Sequence, residues 1–272
     1  MSTNLDNIRT NMVGITTVNG FPALMSERFS LFKAAGFESV LLWWGPGEKE
    51  SRGERVALAK KYGLRIENVH ATTDNLNAIW LNDSAGNQTL AELEQELEEC
   101  SYFGIGTLVV HLTNGSVPPP VSKIGISRIE RLIYSAEKNG VRIAFENLRT
   151  PEHVQYVLNH YSSRFVGLCY DSGHEHFWTP NFDWLKEYGS RVFAIHLHDN
   201  CGEKDSHLVP FDGEIDWRQK SKQIADSSYT GSITIESEYN VSAQYRRYEL
   251  TDFLSYTCEK GKLLETMIQA QR

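Results

Sequence analysis

Carboxylates and imidazoles in this chain fall at the ends of short apolar runs. Ile-Ala-Phe stops on Glu146, Leu-Cys-Tyr on Asp171 and Ile-Thr-Ile on Glu236. His70 closes another such run, and His111 lies near the end of a further one. His196 and His198 are two residues apart in Ile-His-Leu-His-Asp, so on a strand they share one face. His174 stands three residues after Asp171, and Asp205 and His207 flank a serine in a loop-like stretch. Taken singly, each has an ordinary reading. Glu146 would be a strand-end carboxylate met by solvent, Asp171 a helix N-cap with a neighbouring surface His174, and Asp205 and His207 a solvated loop. Packing gives no reason for all of them to sit at strand ends together. A divalent ion does: hard carboxylates with imidazole suit Mn2+, Mg2+, Co2+ or Zn2+, and the lack of thiolate ligands argues against a structural zinc. His153, His160 and His176 fall outside these positions and read as surface or core histidines.

The elements that must carry these groups are legible as an alternation. Residues 12–18, Ser39–Trp44, Leu64–His70, Thr107–Leu112, Val141–Glu146, Phe165–Asp171, Val192–His198 and Ser232–Glu236 read as strands, with helical-period segments between them. The clearest helix is Thr89–Cys100, with Leu90, Leu93 and Leu97 on one face, Thr89 as cap and Glu92 completing a capping box. Gly36, Gly63 and Gly140 each stop a helix just before a strand. Strict alternation predicts a parallel sheet, and eight repeats in 272 residues predict a closed (β/α)8 barrel, a TIM barrel, in one α/β domain over residues 1–272. An open doubly wound sheet is the competing arrangement, but no Gly-x-Gly-x-x-Gly follows the first strand. The Val-Pro-Pro-Pro at residues 117–120 reads as a local breaker before a helix, not a linker. In a parallel barrel all the strand ends named above converge on the face where active sites sit.

Composition narrows the partners. Net charge is −8, and no Lys/Arg cluster is visible, which argues against a nucleic-acid partner. No apolar run is long enough for a membrane helix. The N-terminal stretch lacks the basic and apolar regions of a signal peptide, and the four cysteines are scattered without a C-x-x-C pair. Both features predict a cytoplasmic protein with reduced thiols.

At Phe-Glu-Asn (Phe145–Asn147), Gly-Leu-Cys-Tyr-Asp-Ser-Gly-His (Gly167–His174), His-Leu-His-Asp (His196–Asp199) and Asp-Gly-Glu-Ile-Asp-Trp (Asp212–Trp217), the chain resembles the xylose-isomerase-like TIM barrels, the superfamily of sugar-phosphate isomerases/epimerases and endonuclease IV. The resemblance implies a metal held by Glu146, Asp171, His196 and Glu236. His196 is preferred to His198 because the family's ligand precedes the acidic residue of the motif by three. In the epimerase branch, the two glutamates also move protons through a metal-stabilised enediolate, which assigns Glu146 and Glu236 the acid/base roles. Glu152 matches a substrate-binding glutamate of ketose epimerases, and His174 would bond a substrate hydroxyl, with His198 nearby. Of the adjacent Trp43 and Trp44, one, assigned as Trp43, is expected to face the mouth and stack on a sugar ring.

Those epimerases carry an arginine six residues after the metal histidine. This chain has Gly202 there, which counts against a free ketohexose. The endonuclease IV branch implies a trinuclear zinc set of His70, His111, Glu146, Asp171, His174, His196, Asp205, His207 and Glu236, hence a phosphodiesterase. Against it stand the acidic charge and the lack of a basic, aromatic wedge after His70. A dehydratase acting on a keto-sugar or polyol shares the epimerase's first step. A non-catalytic sugar-binding barrel is the reading from another class, and the intact ligand set opposes it. The expectation is therefore a metal-dependent isomerase/epimerase, with Mn2+ the first choice of ion and a small sugar the substrate. No glycine-rich phosphate cradle is visible, so an unphosphorylated substrate is admitted. The helix after Tyr248 would either close the barrel or support a homodimer.

Overall fold

A computed structural model describes residues 12–20 and 23–272; the N-terminal stretch read for a leader therefore lies almost wholly outside the described residues. The strands are β1 (Val13–Thr16), β2 (Ser39–Trp43), β3 (Arg65–His70), β4 (Thr107–Val110), β5 (Arg142–Glu146), β6 (Val166–Asp171), β7 (Val192–His196) and β8 (Ile233–Ile235). The helices are α1 (Met25–Ala35), α2 (Arg52–Lys61), α3 (Ser84–Phe103), α4 (Lys123–Asn139), α5 (Pro151–His160), α6 (Ser172–Trp178), α7 (Trp184–Tyr188), α8 (Trp217–Asp226) and α9 (Leu250–Gln269). Every strand pair is parallel, and the order runs β7-β6-β5-β4-β3-β2-β1-β8. A parallel bridge from Leu197 to Ile235 brings β7 back to β8, so the sheet closes as a (β/α)8 barrel.

The strands are short because a barrel needs only a few residues of each, and β1, β4, β6 and β8 are buried along their whole length because helices cover the outside. Between strands and helices lies the main core, which includes Phe29, Phe32, Phe37, Trp184 and Phe253. Inside the barrel a second cluster holds Val109, Ala144, Cys169 and Ala194. Each of these stands two residues before His111, Glu146, Asp171 or His196, so strand alternation points the polar residues along the same inner face, one layer nearer the mouth. Small residues below leave room for large polar ones above.

Two details differ from the sequence expectation. The helix expected over Thr89–Cys100 is longer, Ser84–Phe103, and its cap is Asp83, which accepts from the Gly86 amide at 2.9 Å. Thr89 is interior and bonds the carbonyls of Asn75 and Ala85, while Glu92 is exposed and closes no capping box. Leu90, Leu93 and Leu97 do face the core, and Glu96 is buried among them. The glycine stops hold: Gly36, Gly63 and Gly140 all take left-handed φ values, and Gly104 ends α3 in the same way. Helix α9 packs on α1, α8, β1 and β8 and so covers the seam of the barrel. Among the described residues no helix is long and apolar enough to cross a membrane.

Candidate metal centre

The mouth of the barrel gathers the strand-end residues around Glu146. Its carboxylate, buried at the end of β5, lies 3.4 Å from His70, 3.1 Å from His111, 3.1 Å from His174 and 3.3 Å from His196. Donor atoms of Glu146, Asp171, His196 and Glu236 all fall within 4.8 Å of one another. So do those of His70, His111 and Glu146, and those of His174, His198, Asp205 and His207. His196 and His198 both point inward from the end of β7, but they serve different groups. His196 Nδ1 stands 3.2 Å from Glu236, whereas His198 Nε2 stands 3.1 Å from Asp171.

Whether these residues fit metal ions can be tested on their unmet bonding. Asp171 Oδ2, both ring nitrogens of His196, both of His198 and Asp205 Oδ1 are buried without a well-directed hydrogen bond, although His196 Nδ1 and His198 Nε2 stand close to carboxylates. Buried polar atoms are ordinarily satisfied, and leaving one unpaired costs about 1–3 kcal/mol. A cation in reach of these atoms would satisfy them. The tautomers agree. His70 Nδ1 meets the Ala71 carbonyl at 2.9 Å, His174 Nδ1 the Asn147 carbonyl at 3.0 Å and His207 Nδ1 the Glu236 carbonyl at 2.8 Å. A ring that donates one N–H to a carbonyl keeps its Nε2 lone pair free, the arrangement metal-binding histidines use. The donor set is oxygen and imidazole nitrogen, which fits a divalent ion such as Zn2+, Mn2+ or Co2+. Cys169 Sγ also lies within reach of Glu146 and His196, but burial pushes that thiol well up and keeps it protonated.

In the metal-free chain protons do part of this work. Burial alone would raise Glu146, but His196 and His111 outweigh it and hold the carboxyl well below its usual range. Glu236, also opposed by burial, falls to about 2 beside His196. Burial disfavours charge on His174, yet Asp171, Asp205 and Glu146 lift it well above the usual imidazole value. His196 is likewise lifted against burial by the carboxylates of Glu236 and Glu146, and His207 is raised to about 10 chiefly by Asp205. Metal ligation needs neutral imidazoles, so loading the centre must release protons.

Asp171 keeps its ordinary role as well: Oδ1 caps α6 by accepting from the His174 amide at 2.7 Å, which fixes the Asp-x-x-His pair. Asn147 grips the end of β6, accepting from the Asp171 amide and donating to the Asp171 carbonyl. Gly173 is required because a Cβ there would run into the His198 ring. The loop that delivers Asp205 and His207 is tied down by Asp199. Its buried carboxylate accepts from the amides of Asn200 (2.9 Å), Phe211 (3.0 Å) and Ile215 (3.1 Å) and from Trp217 Nε1 (2.7 Å). His207 and Phe211 sit at positive φ, a conformation this loop must hold in place.

A cavity of about 270 Å3 opens onto the centre, lined in part by His70, His111, Glu146, His174, His207 and Glu236. Not every expected residue reaches it. Glu152 is exposed on α5 and does not line the cavity, and His198 lies buried behind Asp205 and His207. Trp43 packs against the His70 ring at 5.3 Å and bonds the Pro46 carbonyl, while Trp44 is buried on the core side. Trp178 ends α6 and stacks on His174 at 4.3 Å. Arg149, Thr113 and Asn114 also line the cavity and were not anticipated. None of the three is a metal-ligand type, and the one signal in the sequence is that Arg149 stands three residues after Glu146 in the loop leaving β5.

Fold and site together define a barrel with a candidate metal centre at its C-terminal mouth. Residues 29–251 match the family model for the xylose isomerase-like TIM barrel, and the chain belongs to that family. Among curated relatives, y4fM of Sinorhizobium fredii is 42% identical over 108 residues, covering 37% of this chain and 34% of y4fM. An inosose dehydratase of Clostridium perfringens is 25% identical over 126 residues, covering 38% of this chain and 42% of that enzyme. The match thus spans about a third to two fifths of these relatives' lengths. Among solved structures, IolI protein with a bound zinc atom superposes with a TM-score of 0.74 at 17% identity, covering 96% of this chain and 99% of that one. D-psicose 3-epimerase from Clostridium cellulolyticum H10 superposes with a TM-score of 0.73 at 15% identity, covering 95% and 99%. At these identities the structural likeness speaks for the fold.

Proposed function

We infer that the chain is a metal-dependent sugar isomerase or epimerase that moves a proton next to a carbonyl. The observation that carries this reading is the convergence of Glu146, at the end of β5, and Glu236, the residue after β8, on the same His196 Nδ1 at 3.3 and 3.2 Å. A carboxylate here can remove a proton from carbon, and the carboxyl that then carries a proton, Glu146 itself or Glu236 after taking one from solvent, can return one. Glu146, Asp171, His196 and Glu236 would hold the ion, which supplies Lewis-acid polarisation of a carbonyl when bound. The electron pair left on carbon passes to the carbonyl oxygen as the C–H bond breaks. Glu146, with a side chain only 1% exposed, keeps its proton from bulk water, whereas Glu236 at 16% can exchange with solvent. The shared family and the inosose dehydratase relative also support a dehydratase variant of this step, in which a neighbouring hydroxyl leaves instead of a proton returning.

The test is proton exchange. Metal-loaded protein in D2O with a panel of ketoses should wash the proton next to the carbonyl out of one of them, read by NMR. Exchange that persists in Glu146→Gln, or no exchange across the panel, would overturn the reading. A second reading, a polynuclear phosphodiesterase, is favoured by the two further donor groups around His70 and His111 and around His174, His198, Asp205 and His207. It requires about two to three zinc ions per chain and cleavage of an abasic-site DNA or bis(p-nitrophenyl) phosphate.

A further inference from the structure

We propose that the substrate carries an anionic group, a phosphate or a carboxylate, and that Arg149 binds it at the rim of the cavity. Arg149 is the one lysine or arginine among the residues lining the cavity. Its guanidinium lies over the Trp178 indole, 5.0 Å from the ring centroid, and Trp178 in turn stacks on His174 at 4.3 Å. The contact rests the exposed Arg149 side chain against the end of α6, with its N–H groups open to a ligand. Among the described residues Arg149 makes no ion pair with a carboxylate and no side-chain hydrogen bond, although Glu146, Asp205 and Glu236 line the same cavity. Those carboxylates are already engaged with imidazoles. A guanidinium with unpaired N–H groups is suited to a bidentate acceptor, which is why arginine is used for phosphate and carboxylate recognition.

Position orders the ligand within the cavity. Arg149 is exposed at the rim, while Glu146 and Glu236 lie deeper among the residues proposed to hold the ion, so a charged end fits the rim and the reacting hydroxyls and carbonyl fit the floor. The Thr113–Thr150 hydroxyl contact at 3.1 Å ties the loop leaving β4 to the residue after Arg149 and holds that rim in place. This inference takes the cavity to be the substrate site, as the proposed function does, but it does not depend on the substrate being a ketose.

The experiment is titration calorimetry on metal-loaded wild type and Arg149→Gln, with inorganic phosphate, fructose, fructose 6-phosphate and fructuronate as probes. Metal content is checked in both proteins. Wild type should bind an anionic probe at least about tenfold more tightly than fructose, and Arg149→Gln should lose that advantage at unchanged metal content. The stronger of fructose 6-phosphate and fructuronate identifies phosphate or carboxylate as the group. Inorganic phosphate separates the two readings: phosphate binding that depends on Arg149, with no ketose bound, upholds the anion site and counts against the sugar. Equal affinities in wild type and Arg149→Gln, or no binding of any anionic probe to wild type, would overturn the proposal.

Discussion

Glu146 meets His70, His111, His174 and His196 with its two oxygens, and it belongs to both the inner donor group and the group around His111. Replacing it with glutamine keeps the shape and removes the charge and the basicity. Glu146→Gln should therefore lower kcat by about a hundredfold to ten-thousandfold, the range a positioned acid–base group supplies, while its circular dichroism stays that of wild type. Near-normal turnover would end the proton-transfer role. Residues of this kind were legible in the sequence because a carboxylate or imidazole at the end of an apolar strand has no packing explanation. Arg149 was not, because an arginine in a loop is ordinary until the chain folds and shows it stacked on Trp178 beside the centre.

The loop from Asp199 to Asp216 is the element that completes the site, since it alone supplies Asp205 and His207. Asp199 organises it through four accepted N–H bonds, one of them from Ile215 at the far end. Asp199→Asn puts a donor against two of these donors and should cost about 1–3 kcal/mol. The expected outcome is faster proteolytic nicking in this loop and loss of any ion bound by His174, Asp205 and His207, with the ion at Glu146, Asp171, His196 and Glu236 retained. Unchanged nicking would show that the loop is held by other means. The strands themselves were readable to within a residue or two from their β-branched runs and the glycines that precede them. The start of α3 was not: its first turn, Ser84–Asn87, carries no apolar period, so Thr89 looked like the cap that Asp83 provides. Nor does strand periodicity reveal that Asp199, beyond β7, gathers the turn that follows.

Across the molecule, the buried charges at the mouth make stability depend on pH and metal together. Glu236, lowered from 4.5 to about 2, contributes above its unfolded pKa and loses that contribution as pH falls toward 2. His207, raised from 6.5 to about 10, contributes fully below 6.5 and loses that contribution as pH rises toward 10. Chelator-treated protein should therefore show a lower Tm at pH 9 than at pH 6, and added metal should raise Tm more at the higher pH, where fewer protons must be displaced. A metal-free Tm that climbs steadily through this window would contradict the arrangement of charges described. The most direct test of the metal centre itself is elemental analysis of protein purified without chelator or affinity metal, alongside His196→Ala. Wild type should hold about one or more Mn, Co or Zn per chain, and His196→Ala should lose the ion of the inner group. Wild type that binds no metal, before or after reconstitution, would contradict the account.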